Sequence, residues 1–247
     1  MIWPVLLAAL GAIAGSFLAT IVVRWPEGRR VSDGRSACDA CGATLRAIEL
    51  VPLLSELVQR GRCRRCGARI DPRHLRIELG CALIGAAAGY VAPGPVGAAG
   101  ALFGWLLLTL AALDAAALWL PDALTGTLAL TGVAAGALGV TPPLDERLIG
   151  GAAGFLSLWA IARTYRLVRG REGLGGGDPK LFGAIGLWLG WRLLPVVMLL
   201  AALVGLGAVL VMRLSGREVP ADLKLPFGAF LAIAAYPAWL MMVGLAA

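Results

Sequence analysis

The chain has 247 residues, of which 59% are hydrophobic and 15% charged, with a net charge of +7 and a mean hydropathy of +0.82. These values exclude an ordinary soluble domain and fit a single integral-membrane domain over residues 1–247. The positive charge does not call for nucleic acid, because arginines also gather on the inner side of membrane proteins and at anionic headgroups, so lipid bilayer is the expected partner.

Runs of about 20 apolar residues are needed to cross the hydrocarbon core. Eight candidates follow in chain order: 2–23, 77–93, 97–119, 123–141, 148–167, 179–191, 194–213 and 226–246. The sixth is short, as a tilted or re-entrant segment would be. With the N-terminus outside, the inner segments hold twelve arginines between 24 and 76, then Arg163, Arg166, Arg169, Arg171 and Lys180, then Arg213, Arg217 and Lys224. Only Arg147 and Arg192 of the 22 basic residues fall outside, which supports both the number of spans and their direction. The first segment has no basic residue before its apolar stretch and a cluster after it, the reverse of a secretory signal, so it reads as a retained anchor. The expected fold is an all-α polytopic membrane protein of about eight transmembrane helices.

Residues 25–76 form a cytoplasmic loop between the first two spans. Four of the five cysteines stand there as Cys38-Asp-Ala-Cys41 and Cys63-Arg-Arg-Cys66, with 21 residues between the pairs. Paired knuckles let Cys38, Cys41, Cys63 and Cys66 converge on one tetrahedral zinc, and Gly42 and Gly67 follow where each turn needs freedom. Two disulfides are the alternative, but they seldom persist in a reducing cytoplasm. A loop this small has little surface to bury, so a structural metal supplies folding free energy, and four thiolates leave no open position for catalysis. His74, the only histidine, reads as an interfacial residue, and Cys81 as a small hydrophobe inside a helix.

The third span contains Asp114, which costs about +2.5 to +3.5 kcal/mol at the centre of a transmembrane helix. An exit at Leu120-Pro121 puts it about 9 Å of helix rise inside the cytoplasmic end. Asp178 follows Gly175-Gly176-Gly177 and opens the sixth span from the same face. Its local context, with Pro179 next, also fits an N-cap, and Asp122 after Pro121 fits that reading more strongly. For Asp114 the alternative is an interhelical hydrogen bond to Ser, Thr or Arg. If the two acids meet at about 3 Å they hold one proton between them. That arrangement positions water against a peptide carbonyl, one carboxylate taking a proton and its partner giving one. Glycines before Asp178 let backbone approach a substrate strand.

These residues resemble the bacterial type IV prepilin peptidases, membrane aspartic proteases of the GxGD type. The resemblance runs through Gly15-Ser-Phe-Leu18 and Arg24-Trp-Pro26, the paired knuckles, Pro52-Leu-Leu-Ser55, Arg60-Gly-Arg-Cys63, Arg73, Glu78, Asp114 with Leu120-Pro-Asp122, Gly175-x-Gly-Asp178-x-Lys180, and Pro226-Phe-Gly228. It implies that Asp114 and Asp178 are the catalytic pair, supported by Gly175, Gly177, Asp122 and Lys180. The implied substrates are prepilins or type II secretion pseudopilins, cut at the cytoplasmic face of the inner membrane. Lys180 or a nearby arginine is the expected partner for an acidic residue early in the mature pilin. Many members also methylate the new N-terminus with S-adenosylmethionine. Ala19 replaces the usual Asn of the first motif, and Glu49 and Glu56 stand where the loop pattern often differs. These departures bear on methylation and leave both aspartates untouched, so peptidase activity alone is the alternative. A proton- or cation-coupled transporter and a zinc-loop scaffold are the rivals from other classes. The first lacks a matching acid in the outer half.

Overall fold

The computed structural model describes the chain except residues 1, 32–35, 218–219, 221–222 and 246–247. Arg35, counted above among the inner arginines, and Ala246, the end of the eighth expected span, lie outside the described residues. Among the described residues the structure is helical, with two isolated bridges as its only extended pairing. The helices are α1 (Ile2–Arg24), α2 (Leu54–Gln59), α3 (Arg73–Val91), α4 (Pro95–Ala117), α5 (Asp122–Ala137), α6 (Leu144–Arg169), α7 (Asp178–Leu189), α8 (Leu194–Leu214) and α9 (Phe227–Gly244).

A helix stands at each of the eight expected spans. Four segments, Ile2–Glu27, Pro95–Ala117, Leu194–Leu214 and Phe227–Gly244, are long and apolar enough to cross a membrane. The chain therefore reads as an integral membrane protein. α5 has 16 residues and α7 only 12, short of the roughly 20 that a full crossing takes. The fold divides into two compact units, Met1–Thr109 and Leu110–Ala247.

In the first unit α1 and α3 pack through small residues spaced four apart, Gly11 and Gly15 on one helix and Gly85 and Gly89 on the other. A Cβ at Gly15 would stand 2.8 Å from Glu78 Cα, and one at Gly89 would stand 2.7 Å from the Trp3 carbonyl carbon. Without Cβ atoms the two backbones touch, the small-xxx-small mode of membrane helices. Cys81 is fully buried at this contact, and its carbonyl accepts Trp105 Nε1–H at 2.8 Å, consistent with a packing role.

The second unit is built around α7. Ten of its twelve residues are buried, and α5, α6 and α9 pack against it. Glycines on α6 again permit close approach: a Cβ at Gly154 would stand 2.7 Å from Phe182 O. Protein covers α7 where lipid would cover a full span, which is how so short a helix remains apolar. α8 packs on α9 and buries only Leu194, Val197 and Ala201 of its own length.

Arg147, one of the two basic residues that the expected topology leaves outside the inner segments, is wholly buried in the second unit. Its five N–H groups all find carbonyls: Nε donates to Pro142, Nη1 to Gly132 and Leu187, and Nη2 to Val140 and Thr141, at 2.8 to 3.2 Å. The guanidinium also lies 5.7 Å from the Trp188 ring centroid. The side chain thus ties the α5–α6 connection to the C-terminal end of α7.

Candidate active site and metal centre

Asp114 lies in the last turn of α4, because the helix ends at Ala117 and not at the expected residue 119. Leu118 breaks it by entering the left-handed region at φ 51°, while its N–H still bonds Asp114 O at 2.8 Å. The carboxylate is 5% exposed and accepts the backbone N–H of Ala229 at 2.8 Å. Ala229 is in the first turn of α9, so Asp114 occupies the positive end of that helix and satisfies one of its free N–H groups. The interhelical bond considered for Asp114 is therefore made to backbone, not to Ser, Thr or Arg.

Asp178 is the first residue of α7 and 6% exposed. It is not the cap of its own helix, since Gly177 holds that position and no side chain caps it. Its Oδ2 instead reaches back to accept Gly175 N–H at 3.0 Å, while Asp178 N–H returns to Gly175 O at 3.2 Å. The glycines have local steric reasons that differ from the expected approach to a substrate strand. A Cβ on Gly175 would meet Asp178 Oδ2 at 3.0 Å, and one on Gly177 would meet Leu120 Cβ at 2.8 Å.

Both acids meet at Gly228. A Cβ there would stand 3.0 Å from Asp114 Oδ2, 3.2 Å from Asp178 Oδ1 and 2.7 Å from Leu120 Cδ1. Measured from that one point, the two carboxylate oxygens are at most about 6 Å apart. Two buried acids at this separation can flank a water molecule and exchange protons with it. Leu120 closes one side by lying against both Gly177 and Gly228.

Asp122 and Lys180 are not in this cluster's buried part. They form an exposed ion pair, Nζ to Oδ1 at 2.7 Å, which joins the starts of α5 and α7. Asp122 caps nothing with its side chain, as Pro121 is the N-cap of α5. The Gly228 and Ala229 amides had no assigned role in the sequence reading, although Pro226-Phe-Gly228 marked their place.

In the first unit the two cysteine knuckles repeat each other. Cys38 N–H bonds Ala43 O and Gly42 N–H returns to Cys38 O. Cys63 N–H bonds Ala68 O and Gly67 N–H returns to Cys63 O, all at 2.8 to 2.9 Å. Gly42 and Gly67 both take left-handed conformations, with φ 69° and 72°. Antiparallel bridges Ala37–Thr44 and Arg62–Arg69 close the two turns. The four Sγ atoms lie within 4.8 Å of one another, and Cys38 and Cys66 are 3.9 Å apart. Backbone N–H groups of Cys66 and Arg65 draw the Cys63 thiol down to about 7, whereas Cys66, among the neighbouring sulfurs, is pushed up to about 11. Four converging sulfurs fit a tetrahedral ion with bonds of about 2.3 Å.

The same unit encloses a cavity of about 630 Å³ between the knuckles, α1, α2 and α3. Glu78 lines it, 6% exposed, and its Oε2 accepts Leu53 N–H at 2.8 Å. Leu53 sits at φ 63°, an uncommon conformation for a side chain of its size. His74 borders the cavity from the first turn of α3.

Residues 9–91 match the bacterial peptidase A24 N-terminal domain, and residues 101–210 match the type IV leader peptidase family. The chain is 41% identical to a prepilin leader peptidase/N-methyltransferase of Burkholderia pseudomallei strain 1026b, over 90% of this chain and 80% of the relative. Proteins of the same description from Aeromonas hydrophila and Pseudomonas aeruginosa are 41% and 38% identical. They align over 83% and 94% of this chain and 71% and 88% of their own lengths. No solved structure matches the chain.

Proposed function

Since the chain belongs to the type IV leader peptidase family, we propose that it is a membrane aspartic endopeptidase of bacterial type IV prepilins or type II secretion pseudopilins. It removes their short basic leader at the cytoplasmic face of the inner membrane and then methylates the new amino terminus. The observation that carries the peptidase reading is the placement of the Asp114 and Asp178 carboxylates beside Gly228, buried and at most about 6 Å apart. The relay reading of the same acids finds no support in the relatives.

In this mechanism the two carboxylates hold a water and one proton between them. The ionised partner takes a proton from the water as its oxygen bonds to the scissile carbonyl carbon, and the protonated partner gives its proton to the carbonyl oxygen. When the intermediate collapses the C–N bond breaks, the acid formed in the first step returns a proton to the leaving nitrogen, and its now ionised partner takes the proton of one hydroxyl as the new carboxyl forms, which restores the pair. Backbone amides of Gly175 and Ala229 keep the carboxylates in place throughout, so little reorganisation accompanies the charge movement.

The domain reading is one peptidase domain over 1–247 with the loop 25–76 inserted, crossing eight times from an outside N-terminus. Cys38, Cys41, Cys63 and Cys66 would hold zinc as a closed structural site that staples the loop. Gly175 and Gly177 keep room beside Asp178 and Leu120, and Lys180 with Asp122 sets the spacing of the helices that begin at the site. S-adenosylmethionine, when bound, supplies an electrophilic methyl group for the amine that cleavage exposes.

The test is incubation of the reconstituted protein with a membrane-embedded prepilin. The expected result is one cut at the junction of leader and hydrophobic stem. An intact prepilin after prolonged incubation with folded enzyme overturns the reading.

A further inference from the structure

We infer that Leu120 is the specificity-determining residue of the site: its side chain is a fixed wall beside Asp114 and Asp178 that limits the size of the residue preceding the cut. The inference rests on the peptidase reading, and it names the part of the site that selects the substrate.

Leu120 is wedged between two helix starts. A Cβ on Gly177 would stand 2.8 Å from Leu120 Cβ and 3.2 Å from its Cδ1, and a Cβ on Gly228 would stand 2.7 Å from the same Cδ1. Gly177 is the N-cap of α7, one residue before Asp178. Gly228 lies in the first turn of α9, one residue before the Ala229 amide that donates to Asp114. The backbone is held as well, because Pro121 restricts the residue before it to extended conformations and is itself the N-cap of α5. Leu120 is 9% exposed. It therefore cannot swing aside for a bulky neighbour without displacing α7 or α9, and with them Asp178 or the Ala229 amide.

The wall stands next to the reacting atoms. Measured through the Cβ position of Gly228, Leu120 Cδ1 is at most about 6 Å from both Asp114 Oδ2 and Asp178 Oδ1. Proton exchange brings the attacked carbonyl within about 3 Å of a carboxylate oxygen. Carbon atoms in contact sit about 4 Å apart, so Leu120 occupies the shell around the attacked carbon. In a peptide the Cβ nearest that carbon belongs to the residue before the cut, two bonds away at about 2.5 Å. The Cβ of the following residue is three bonds away. The residue before the cut is thus the one whose side chain competes with Leu120, and hydrogen in place of Cβ clears it. One methylene too many lowers kcat/KM roughly 10- to 200-fold in a packed pocket, and this pocket is clamped on both sides.

Cleavage of two prepilin series by the reconstituted full chain tests this. One series carries Gly, Ala, Val or Leu before the cut, and the other varies the residue after it in the same way. The readout is the ratio of kcat/KM between substrates, in which a loss common to all of them cancels. In wild type the substrate with Val before the cut should fall at least about a hundredfold below the one with Gly. In Leu120→Ala that gap should shrink at least about tenfold, while Leu120→Met, of similar volume, keeps it. Leu120→Val should give an intermediate ratio, and it carries the test if the melting midpoint shows Leu120→Ala to be unfolded. A folded Leu120→Ala or Leu120→Val protein with the wild-type ratio overturns the assignment, and so does a folded variant inactive on the whole series. A wild type that cuts the Gly and Val substrates alike also overturns it. If the ratio moves only in the second series, Leu120 faces the leaving side and the assignment is wrong. If the wild type cuts no substrate of either series, the peptidase reading fails and the assignment with it.

Discussion

Asp114 accepts the backbone N–H of Ala229 at 2.8 Å across 115 residues of sequence, so the carboxylate at the end of α4 also completes the beginning of α9. One side chain thereby serves both the proposed chemistry and the seating of a helix. Asn can still accept that hydrogen bond through its amide oxygen, but it cannot take a proton from water. Asp114→Asn and Asp178→Asn should each cut prepilin cleavage by about a thousandfold or more. Gel-resolved cleavage rates, alongside unchanged melting midpoints, measure this. A variant retaining a tenth of the activity would remove its residue from the catalytic pair.

Gly228 is the point where both carboxylates and Leu120 converge, and a methyl group there has no space. Gly228→Ala should displace the acids and reduce cleavage by more than tenfold. Gly126 in α5 provides the comparison, because nothing lies within 4 Å of its added Cβ. Gly126→Ala should leave cleavage intact and change stability by no more than about 1 kcal/mol, in the favourable direction. Equal activity in the two variants would show that the site has room that the geometry denies.

Replacing Arg147 by Met leaves five carbonyls without their donor in a buried setting. The expected cost is on the order of 3 kcal/mol or more. Thermal unfolding in detergent reads it as a large fall in midpoint, with Arg192→Met, on an exposed side chain, close to wild type. A shift no larger than that of Arg192→Met would mean that the buried guanidinium contributes little.

The purified protein should carry about one zinc per chain by elemental analysis. Cys38→Ser or Cys66→Ser should lose it, and Cys81→Ser should keep it because Cys81 lies in the α1–α3 contact. Chelation should render the loop 25–76 susceptible to protease. Full metal content in the Cys38→Ser protein would exclude the four-cysteine site.

Lys180 and Asp122 are both exposed, so their pairing is worth no more than about 1 kcal/mol. Lys180→Ala should leave the melting midpoint nearly unchanged. If Lys180 also meets the acidic residue of the mature pilin, KM for such a substrate rises severalfold while a substrate with that residue neutralised is processed normally. An equal effect on both substrates would reduce Lys180 to helix spacing.

Sequence disclosed the parts of this protein whose signal is local. Asp114 stands out because every neighbour is apolar, and the cysteines stand out because each knuckle is a few residues long. The eight apolar segments became helices for the same reason. What surrounds Asp114 was hidden, since Ala229 binds it through a backbone amide that every residue except proline possesses. Arg147 was opaque on the same ground: its partners are five carbonyls, and no pattern of residue types announces a carbonyl. The early end of α4 was missed because a leucine at φ 51° is rare and nothing around Leu118 advertises it. Asp178 resembled a helix cap until its side chain was found turned back on Gly175.

The bond between Asp114 and the first turn of α9 also bears on when the protein becomes active. α4 and α7 leave the ribosome before α9, so a nascent chain holds both acids before it holds the Ala229 amide. Until that amide arrives, the Asp114 carboxylate lacks its hydrogen bond to Ala229. On the proposed roles of the two acids, competence for cleavage would coincide with the docking of α9, and the half-made protein would be inert toward a pilin in the same membrane.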